Sequence, residues 1–288
     1  MIHPIGIIGG SGLYAMNGPQ VTDRQEVETP FGKPSGPLVS GTLEGVAVVF
    51  LARHGEGHRL LPHEVPYRAN LWALKQAGVQ IVLSFSAVGS LQAAHPPGSL
   101  RLPDQFVDRT SHRESTFFGD GLVAHVGFAD PTSAWLRRHL LKAGQELGLP
   151  ISEGGTYLTM EGPQFSTRAE SRLHQAWGMD FVGMTQGTEA KLAREAELAY
   201  ATVALVTDYD AWREQEPGAE AHDLLATLAA NIEKSHRLLR QVLPRLTPGA
   251  PVAEPALHAL ATALVTSPDH VPPTTKARLK LLIEKYGY

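Results

Sequence analysis

The sequence predicts an α/β protein with a largely parallel sheet. Short apolar runs typical of buried strands alternate along the chain with longer segments whose apolar residues follow a helical period. Several runs end in glycines, hydroxyl residues or charged residues, and ligands of open α/β folds bind beyond such strand ends. At 288 residues the chain is long enough for one large domain of this class or two small ones.

Four apolar runs are predicted strands. Each is rich in Val, Ile, Leu or Ala and is bounded by glycine or polar residues. They occupy residues 5–8, 46–52, 79–85 and 201–207. The fourth is the most informative, because two carboxylates, Asp208 and Asp210, follow it directly.

Segments with a helical period separate and follow these strands. The predicted helices cover 67–77, 133–147, 167–177, 188–199 and 222–243. Gly78 and Gly148 end the first two. The helix 188–199 is amphipathic, with Leu192 on its apolar face and Glu189 and Glu195 on the opposite polar face.

The last part of the chain is predicted to be helical after a connection. Residues 244–255 are rich in proline, and helices are expected near 255–265 and 273–286. The last of these carries an apolar stripe, which we expect to pack against the body of the protein or a neighbour. The stripe consists of Leu279, Leu282, Ile283 and Tyr286.

Composition and charge exclude several classes of function. The net charge of −4 gives no basic footprint for nucleic acid, and no apolar run approaches the roughly 18–20 residues of a membrane span. The N-terminus enters a strand directly and lacks the features of a signal peptide. Cysteine is absent, which excludes disulfides, thiolate catalysis and Cys-ligated zinc. We therefore expect a cytoplasmic protein that binds neither nucleic acid nor a membrane.

Asp208 and Asp210 are the first candidate site residues. Two acids two positions apart in extended chain can converge on one small ligand beyond the strand end. They suit the edge of a 6-aminopurine, which presents the N6 amino donor beside the N7 acceptor. The alternative is a solvated Asp-x-Asp turn.

Other strand ends suggest an anion site. Glycines and hydroxyls follow two strands, at residues 9–12 and 86–90, and such turns can bind anions through free N–H groups. Arg53 ends a third strand, where its guanidinium can clamp an oxyanion bidentately. The alternatives are a ligand-free turn for 9–12 and a surface ion pair for Arg53. His54 and His58 are four residues apart, but the glycines between them favour hydrogen bonding or packing over a metal site.

A third group of residues suits an aromatic ligand with a sugar. Phe165 lies in a polar loop at 160–168 and can stack on a base, whereas Met184 can pack under a sugar. Thr185 adds a hydroxyl to the anion site. For Phe165 and Met184 the alternative is a place in the core.

Taken together, these motifs resemble the trimeric purine nucleoside phosphorylase family, in its methylthioadenosine-cleaving branch. The similar stretches are residues 5–13, 29–35, 51–55, 87–91, 104–110, 161–166, 168–171 and 207–210. The resemblance implies one domain over residues 1–288 with a C-terminal extension at about 267–288. It also implies a three-layer fold with a mixed, distorted sheet flanked by helices, a homotrimer or pair of trimers, and phosphorolysis of a nucleoside.

The resemblance also implies roles for individual residues. Phosphate would be bound by Ser11, Arg53, His54, Ser86, Ala87 and Thr185. The nucleoside would contact Phe165, Met184, Asp208, Tyr209 and Asp210, with the two acids catalytic at N7 and N6 of adenine. We favour Asp208 at N7, although the two roles are interchangeable at this stage. Specificity would depend on Ser166, Ala221 and Leu224. No metal or organic cofactor is implied, and phosphate is a co-substrate.

The choice of nucleoside depends on the acids and on the 5′ region. The 6-oxopurine branches tend to carry Asn at the position of Asp208, so adenine is favoured here. Ala221, Leu224 and Leu225 suit a methylthio group, while His222 would admit a 5′-hydroxyl if it turned inward. Departures from the family pattern are Ser11 and Ser86 in place of Thr, and Gln-Gly-Thr at 186–188. The rival activities are a 6-oxopurine or methylthioinosine phosphorylase, a nucleosidase that uses water, and a nucleoside-binding protein without activity.

Overall fold

The computed structural model describes residues 3–10, 20–213, 221–247 and 249–288, with only the backbone for 221–223. Within these residues the chain forms one sheet of eleven strands. The strands are β1 Ile5–Gly9, β2 Gln20–Gln25, β3 Leu38–Leu43, β4 Val46–Ala52, β5 Ile81–Ser90, β6 Leu100–Leu102, β7 Gln105–Asp108, β8 Ile151–Glu153, β9 Thr156–Thr159, β10 Phe181–Gly183 and β11 Ala199–Tyr209.

Six α-helices flank the sheet in the described part of the chain. They are α1 Tyr67–Gln76, α2 Ala134–Glu146, α3 Arg168–Ala176, α4 Gln186–Glu195, α5 Ala221–Leu246 and α6 Pro273–Ile283. None of the described helices has the length and apolarity that a membrane span requires.

The sheet is mixed, as the family resemblance implies. Its main path runs β2-β3-β4-β1-β5-β10-β9-β7, and β11 pairs with β5. The central pairs β4-β1, β1-β5 and β5-β11 are parallel, whereas β5-β10, β2-β3 and β3-β4 are antiparallel. Outside the centre β10-β9, β9-β7 and β6-β8 are parallel as well, and β11-β6 is antiparallel. The expectation of a largely parallel sheet is therefore confirmed for most strand pairs, and the antiparallel pairs make the sheet mixed.

Helices cover both faces of the sheet and give the three layers. Alternate residues of β4 point to opposite faces: Val49 and Leu51 pack with α1, α4 and α6, whereas Val48 and Phe50 pack with α2 and α5. Such burial on both faces explains why the central strands appear in the sequence as continuous apolar runs. The stripe on α6 lies in the first of these cores, because Leu279 and Ile283 are fully buried beside α1 and α4.

The helix predicted near 255–265 is wrong. The segment contains only a short 3₁₀ turn at Pro255–His258. Distant groups bind its backbone instead: the N–H of Leu260 donates to Glu197, and the carbonyl of Ala263 accepts from the backbone N–H of His125. Smaller differences are a longer β5, which includes residues 86–90 predicted as a loop, and a shorter α4.

Candidate active site

One cavity of about 720 Å³ collects the predicted site residues. It lies where β5, β10 and β11 end, and α5 and the turn after β4 form further walls. The predicted residues that line it are Arg53, His54, Ser86, Ala87, Phe165, Ser166, Met184, Thr185, Asp208, Tyr209, Asp210 and Leu224. Ser11 and the side chains of Ala221 and His222 lie outside the described residues. The structure thus brings together the predicted site residues whose side chains it describes, with the exception of Leu225, and their roles stay predictions.

At one end of the cavity, which we call the arginine end (Arg53, His54, Ser86 and Thr185), Arg53 is held by a carboxylate. Its side chain is only 2% exposed, and Nε and Nη2 donate to the two oxygens of Glu189. The alternative of a surface ion pair is therefore wrong, and so is a bidentate grip on a ligand, because the bidentate partner is Glu189. Burial lowers the pKa of Arg53, but the charge and the hydrogen bond of Glu189, together with smaller effects of Tyr200 and Tyr67, raise it more, so the guanidinium stays charged.

Further hydrogen bonds fix the Arg53 guanidinium in place. Nη1 donates to the carbonyl of Phe85 at 2.8 Å, and Nη2 donates to Ser84 Oγ at 2.6 Å. Glu189 in turn accepts from Ser84 at 2.7 Å and from the hydroxyl of Tyr200 at 3.1 Å. Among the described residues, these contacts leave one of the five guanidinium N–H groups, on Nη1, for a ligand.

Glu189 is a site residue that the sequence patterns did not indicate, because helical periodicity predicted it on the polar face of its helix. The structure buries it, at 1% exposure, under the sheet. The available signal was Arg53 itself, because an arginine at the end of an apolar strand requires a buried counter-charge. Nothing in the sequence distinguishes Glu189 from the other acids as that partner.

His54 is neutral near pH 7. Burial and the neighbouring Arg53 lower its pKa to about 4. Nδ1 lies 2.9 Å from the carbonyl of Leu60, and because a carbonyl only accepts, Nδ1 carries the proton. Its ring stacks on His58 with centroids 4.3 Å apart. In the described part of the chain no three His, Asp or Glu side chains are grouped to hold a metal ion.

The remaining polar groups of the arginine end come from β5 and α4. Ser86 and Ala87 lie in the last part of β5, and Ser86 Oγ is 3.4 Å from the Tyr157 hydroxyl. Thr185 is the N-cap of α4, so the positive end of that helix dipole faces the cavity. Hydroxyls and a helix N-terminus beside Arg53 suit an anionic ligand.

The opposite end, which we call the carboxylate end (Gly89, Asp208 and Asp210), contains the two acids. Asp208 lies in β11 and Asp210 directly after it, past a bulge between Val206 and Asp208. A Cβ atom on Gly89 would lie 3.5 Å from Asp208 Oδ2 and 3.3 Å from Asp210 Cβ. Both acids therefore flank the bare backbone of Gly89, and the solvated turn is excluded because Asp210 is 7% exposed.

The two acids differ in their hydrogen bonds. Asp210 Oδ2 is buried and has no partner among the described residues. Asp208 Oδ1 is 2.6 Å from Thr207 Oγ1. Burial and the charge of Asp210 raise the pKa of Asp208, whereas the Thr207 hydrogen bond lowers it less. The raised pKa favours the protonated form of Asp208, and Asp210 has a buried acceptor atom that a ligand could satisfy.

The sides of the cavity are formed by Met184, Phe165 and α5. Gly162, with φ +69°, leaves space for Met184, since a Cβ there would be 2.6 Å from the Met184 sulfur. Phe165 is 80% exposed, so its alternative place in the core is wrong. On α5, Leu224, Leu228 and Ile232 follow the helical spacing and present an apolar wall to the cavity. Leu225, predicted beside Leu224, does not line the cavity.

Comparisons with known proteins agree on a family. The sequence profile described as the phosphorylase superfamily matches residues 4–244. An S-methyl-5′-thioadenosine phosphorylase of Koribacter versatilis is 52% identical over 98% of this chain and 96% of its own length. One from Thermosynechococcus vestitus is 50% identical over 99% of this chain and its full length.

Solved structures give the same result. A methylthioadenosine phosphorylase from an antarctic soil metagenomic library superposes with a TM-score of 0.93, at 45% identity over 98% of this chain and 99% of that chain. A methylthioadenosine phosphorylase from Schistosoma mansoni, in complex with tubercidin, superposes with a TM-score of 0.81 at 34% identity over 98% of both chains. The chain therefore belongs to the phosphorylase superfamily and, within it, to the family of the S-methyl-5′-thioadenosine phosphorylases.

Proposed function

We propose that the protein catalyses phosphorolysis of S-methyl-5′-thioadenosine to adenine and 5-methylthioribose 1-phosphate. The observation that carries the proposal is the pair of acids around Gly89, one of them with a buried oxygen that has no hydrogen-bond donor among the residues that the structure describes. An N6 amino group would supply that donor, and N7 would accept a proton from the neighbouring acid. The names of the most similar relatives support the same substrate.

In this mechanism phosphate binds at the arginine end, below the sugar. Arg53 donates its remaining N–H, the Ser86 and Thr185 hydroxyls add hydrogen bonds, and the α4 N-terminus adds a positive potential. A phosphate oxygen attacks the anomeric carbon as its bond to purine N9 breaks. Phosphate stabilises the positive charge that develops on the sugar.

At the carboxylate end, the leaving purine gains negative charge and needs a proton. Asp208 as a carboxylic acid donates that proton to N7, and its raised pKa favours this form. Asp210 accepts from N6 with the oxygen for which the described part of the chain supplies no partner. A 6-oxopurine would place an oxygen against this carboxylate, which costs about 1–3 kcal/mol for each unpaired polar group.

The wall on α5 supports a 5′-methylthio group over a 5′-hydroxyl. Leu224, Leu228 and Ile232 present no polar side-chain atom to the cavity. A buried hydroxyl without a partner there would lose its hydrogen bonds to water, whereas a methylthio group would bury apolar surface. His222, which bears on this choice, has no described side chain.

We also propose the finer assignments that the family resemblance implies. The protein would use no metal or organic cofactor, serve purine and methionine salvage in the cytoplasm, and act as a homotrimer or a pair of trimers. Exposed apolar residues near the cavity, Leu61, Phe165 and Leu225, support cover by a neighbouring subunit. Light scattering should give three times the 31.1 kDa chain mass, or twice that for paired trimers.

The experiment is base release from four nucleosides, each with and without phosphate. The four are methylthioadenosine, adenosine, inosine and methylthioinosine. We expect fast adenine release from methylthioadenosine that depends on phosphate. Release without phosphate would indicate a nucleosidase, and preferential release of hypoxanthine would overturn the roles of the two acids.

A further inference from the structure

The two arginines that line the cavity among the described residues differ in whether a carboxylate balances their charge. The charge of Arg53 is matched by Glu189 in a buried ion pair. His54 is neutral near pH 7. The other charged residues that line the cavity are two acids, Asp208 and Asp210. Arg59 is therefore the one lining arginine, among the described residues, for which no carboxylate partner is found.

The backbone places Arg59 beside the arginine end. Its N–H donates to the carbonyl of His54 at 3.0 Å, so Arg59 is part of the same turn as Arg53 and His54. Its side chain crosses Gly55, where a Cβ would lie 3.0 Å from Nε and 3.3 Å from Cγ. Gly55 has φ +71°, a backbone conformation that favours glycine. Because glycine has no Cβ, the Arg59 side chain can lie across it. Within the described ranges the guanidinium makes one long hydrogen bond, at 3.5 Å, to the carbonyl of Ser35, and the residue is exposed to solvent.

We propose that Arg59 supplies the positive charge that recruits and retains phosphate, whereas Arg53 orients it. The inference rests on the proposed function. A phosphate that enters this cavity meets an Arg53 that Glu189 has already neutralised and two acids at the far end. An exposed, uncompensated guanidinium at the entrance raises the local concentration of the anion and forms charge-assisted hydrogen bonds with it.

The test is the phosphate dependence of turnover at saturating methylthioadenosine. We expect Arg59→Gln to raise the KM for phosphate about tenfold, with kcat changed less than twofold. Arg59→Lys should recover most of the affinity because it restores the charge. The matched control is Arg138→Gln, which removes an exposed arginine from α2, a helix that contributes no residue to the cavity.

Ionic strength gives a second readout that a merely structural role would not move. Added sodium chloride should raise the KM for phosphate more steeply in the wild type than in Arg59→Gln, because screening acts on the exposed charge. If phosphate drives turnover in the wild type and Arg59→Gln leaves both its KM and its salt dependence unchanged, the inference is overturned while the proposed function stands. Wild-type turnover that needs no phosphate would overturn both.

Discussion

At the arginine end of the cavity the charged side chain of Arg53 already has its partners, whereas at the carboxylate end one acid oxygen has none in the described part of the chain. Arg53 is bound by Glu189, Ser84 and the Phe85 carbonyl. Asp210 Oδ2 is also buried, but no described residue donates to it. The first end is therefore rigid before any ligand arrives, and the second is completed by the ligand.

This difference separates two tasks. A preorganised guanidinium needs no reorganisation when it binds phosphate, and the phosphate that it positions stabilises the positive charge that develops on the sugar. A buried acceptor that only the correct ligand satisfies gives discrimination, because a wrong ligand leaves it unpaired. The predictions below test each end in turn.

The largest expected effect is at the carboxylate end, from Asp208→Asn. The amide keeps the shape of the side chain but cannot protonate N7, so we expect kcat for methylthioadenosine to fall about 10²–10⁴-fold. The ratio of activity on methylthioinosine to that on methylthioadenosine should rise. Asp269→Asn, at an exposed position outside the cavity, is the control. Wild-type kcat in Asp208→Asn would show that proton transfer does not involve this acid.

Next is Glu189→Gln, which breaks the preorganised end. The buried guanidinium loses its counter-charge, and removal of one partner of a buried pair costs about 3–5 kcal/mol in the free energy of unfolding. Urea denaturation measures this cost, and phosphate should stabilise the variant more than the wild type because it restores a counter-charge. Glu114→Gln, which breaks an exposed pair with Arg68, should cost under about 1 kcal/mol. Equal costs in the two variants would contradict the contrast between the ends.

Gly89→Ala tests the space between the acids. Its Cβ would meet Asp210 Cβ and Val182 Cγ1 at 3.3 Å, so the acids must shift. Overpacking of this size costs about 1–3 kcal/mol. We expect a loss of this size in kcat/KM for the nucleoside, whereas the KM for phosphate should stay unchanged. Gly127→Ala is the control, since a Cβ there meets nothing within 4 Å. If the KM for phosphate changes more than the KM for the nucleoside, the carboxylate end and the arginine end do not act independently.

The smallest effect is a pH dependence. The pKa of Asp208 is raised above its usual 3.8 by burial and by Asp210. Because the acid form donates the proton, activity should fall as pH rises through that pKa, by up to about tenfold per pH unit. The profile of kcat at saturating phosphate measures it, and Asp208→Asn should lack this limb. A limb that persists in the variant would belong to another group.

The sequence predicted which residues line the site better than it predicted which side chains bind one another there. Asp208, Asp210, Arg53 and Thr185 were found because strand ends converge in an α/β sheet and because their motifs resemble a family. The same patterns placed Glu189 on a polar helix face, although it is buried. Amphipathic patterns assume that charged faces meet water, and a buried ion pair breaks that assumption.

The sequence by itself determined the central strands, most helices and the residue types at the strand ends, because these follow from local periodicity and burial. Only the tertiary structure decided that Arg53 pairs with Glu189, 136 positions away, and that Gly89 separates the two acids. It also decided that the segment near 255–265 gives its backbone hydrogen bonds to distant groups such as Glu197. Contacts between residues far apart depend on how the helices pack on the sheet, and no local pattern in the chain specifies that packing.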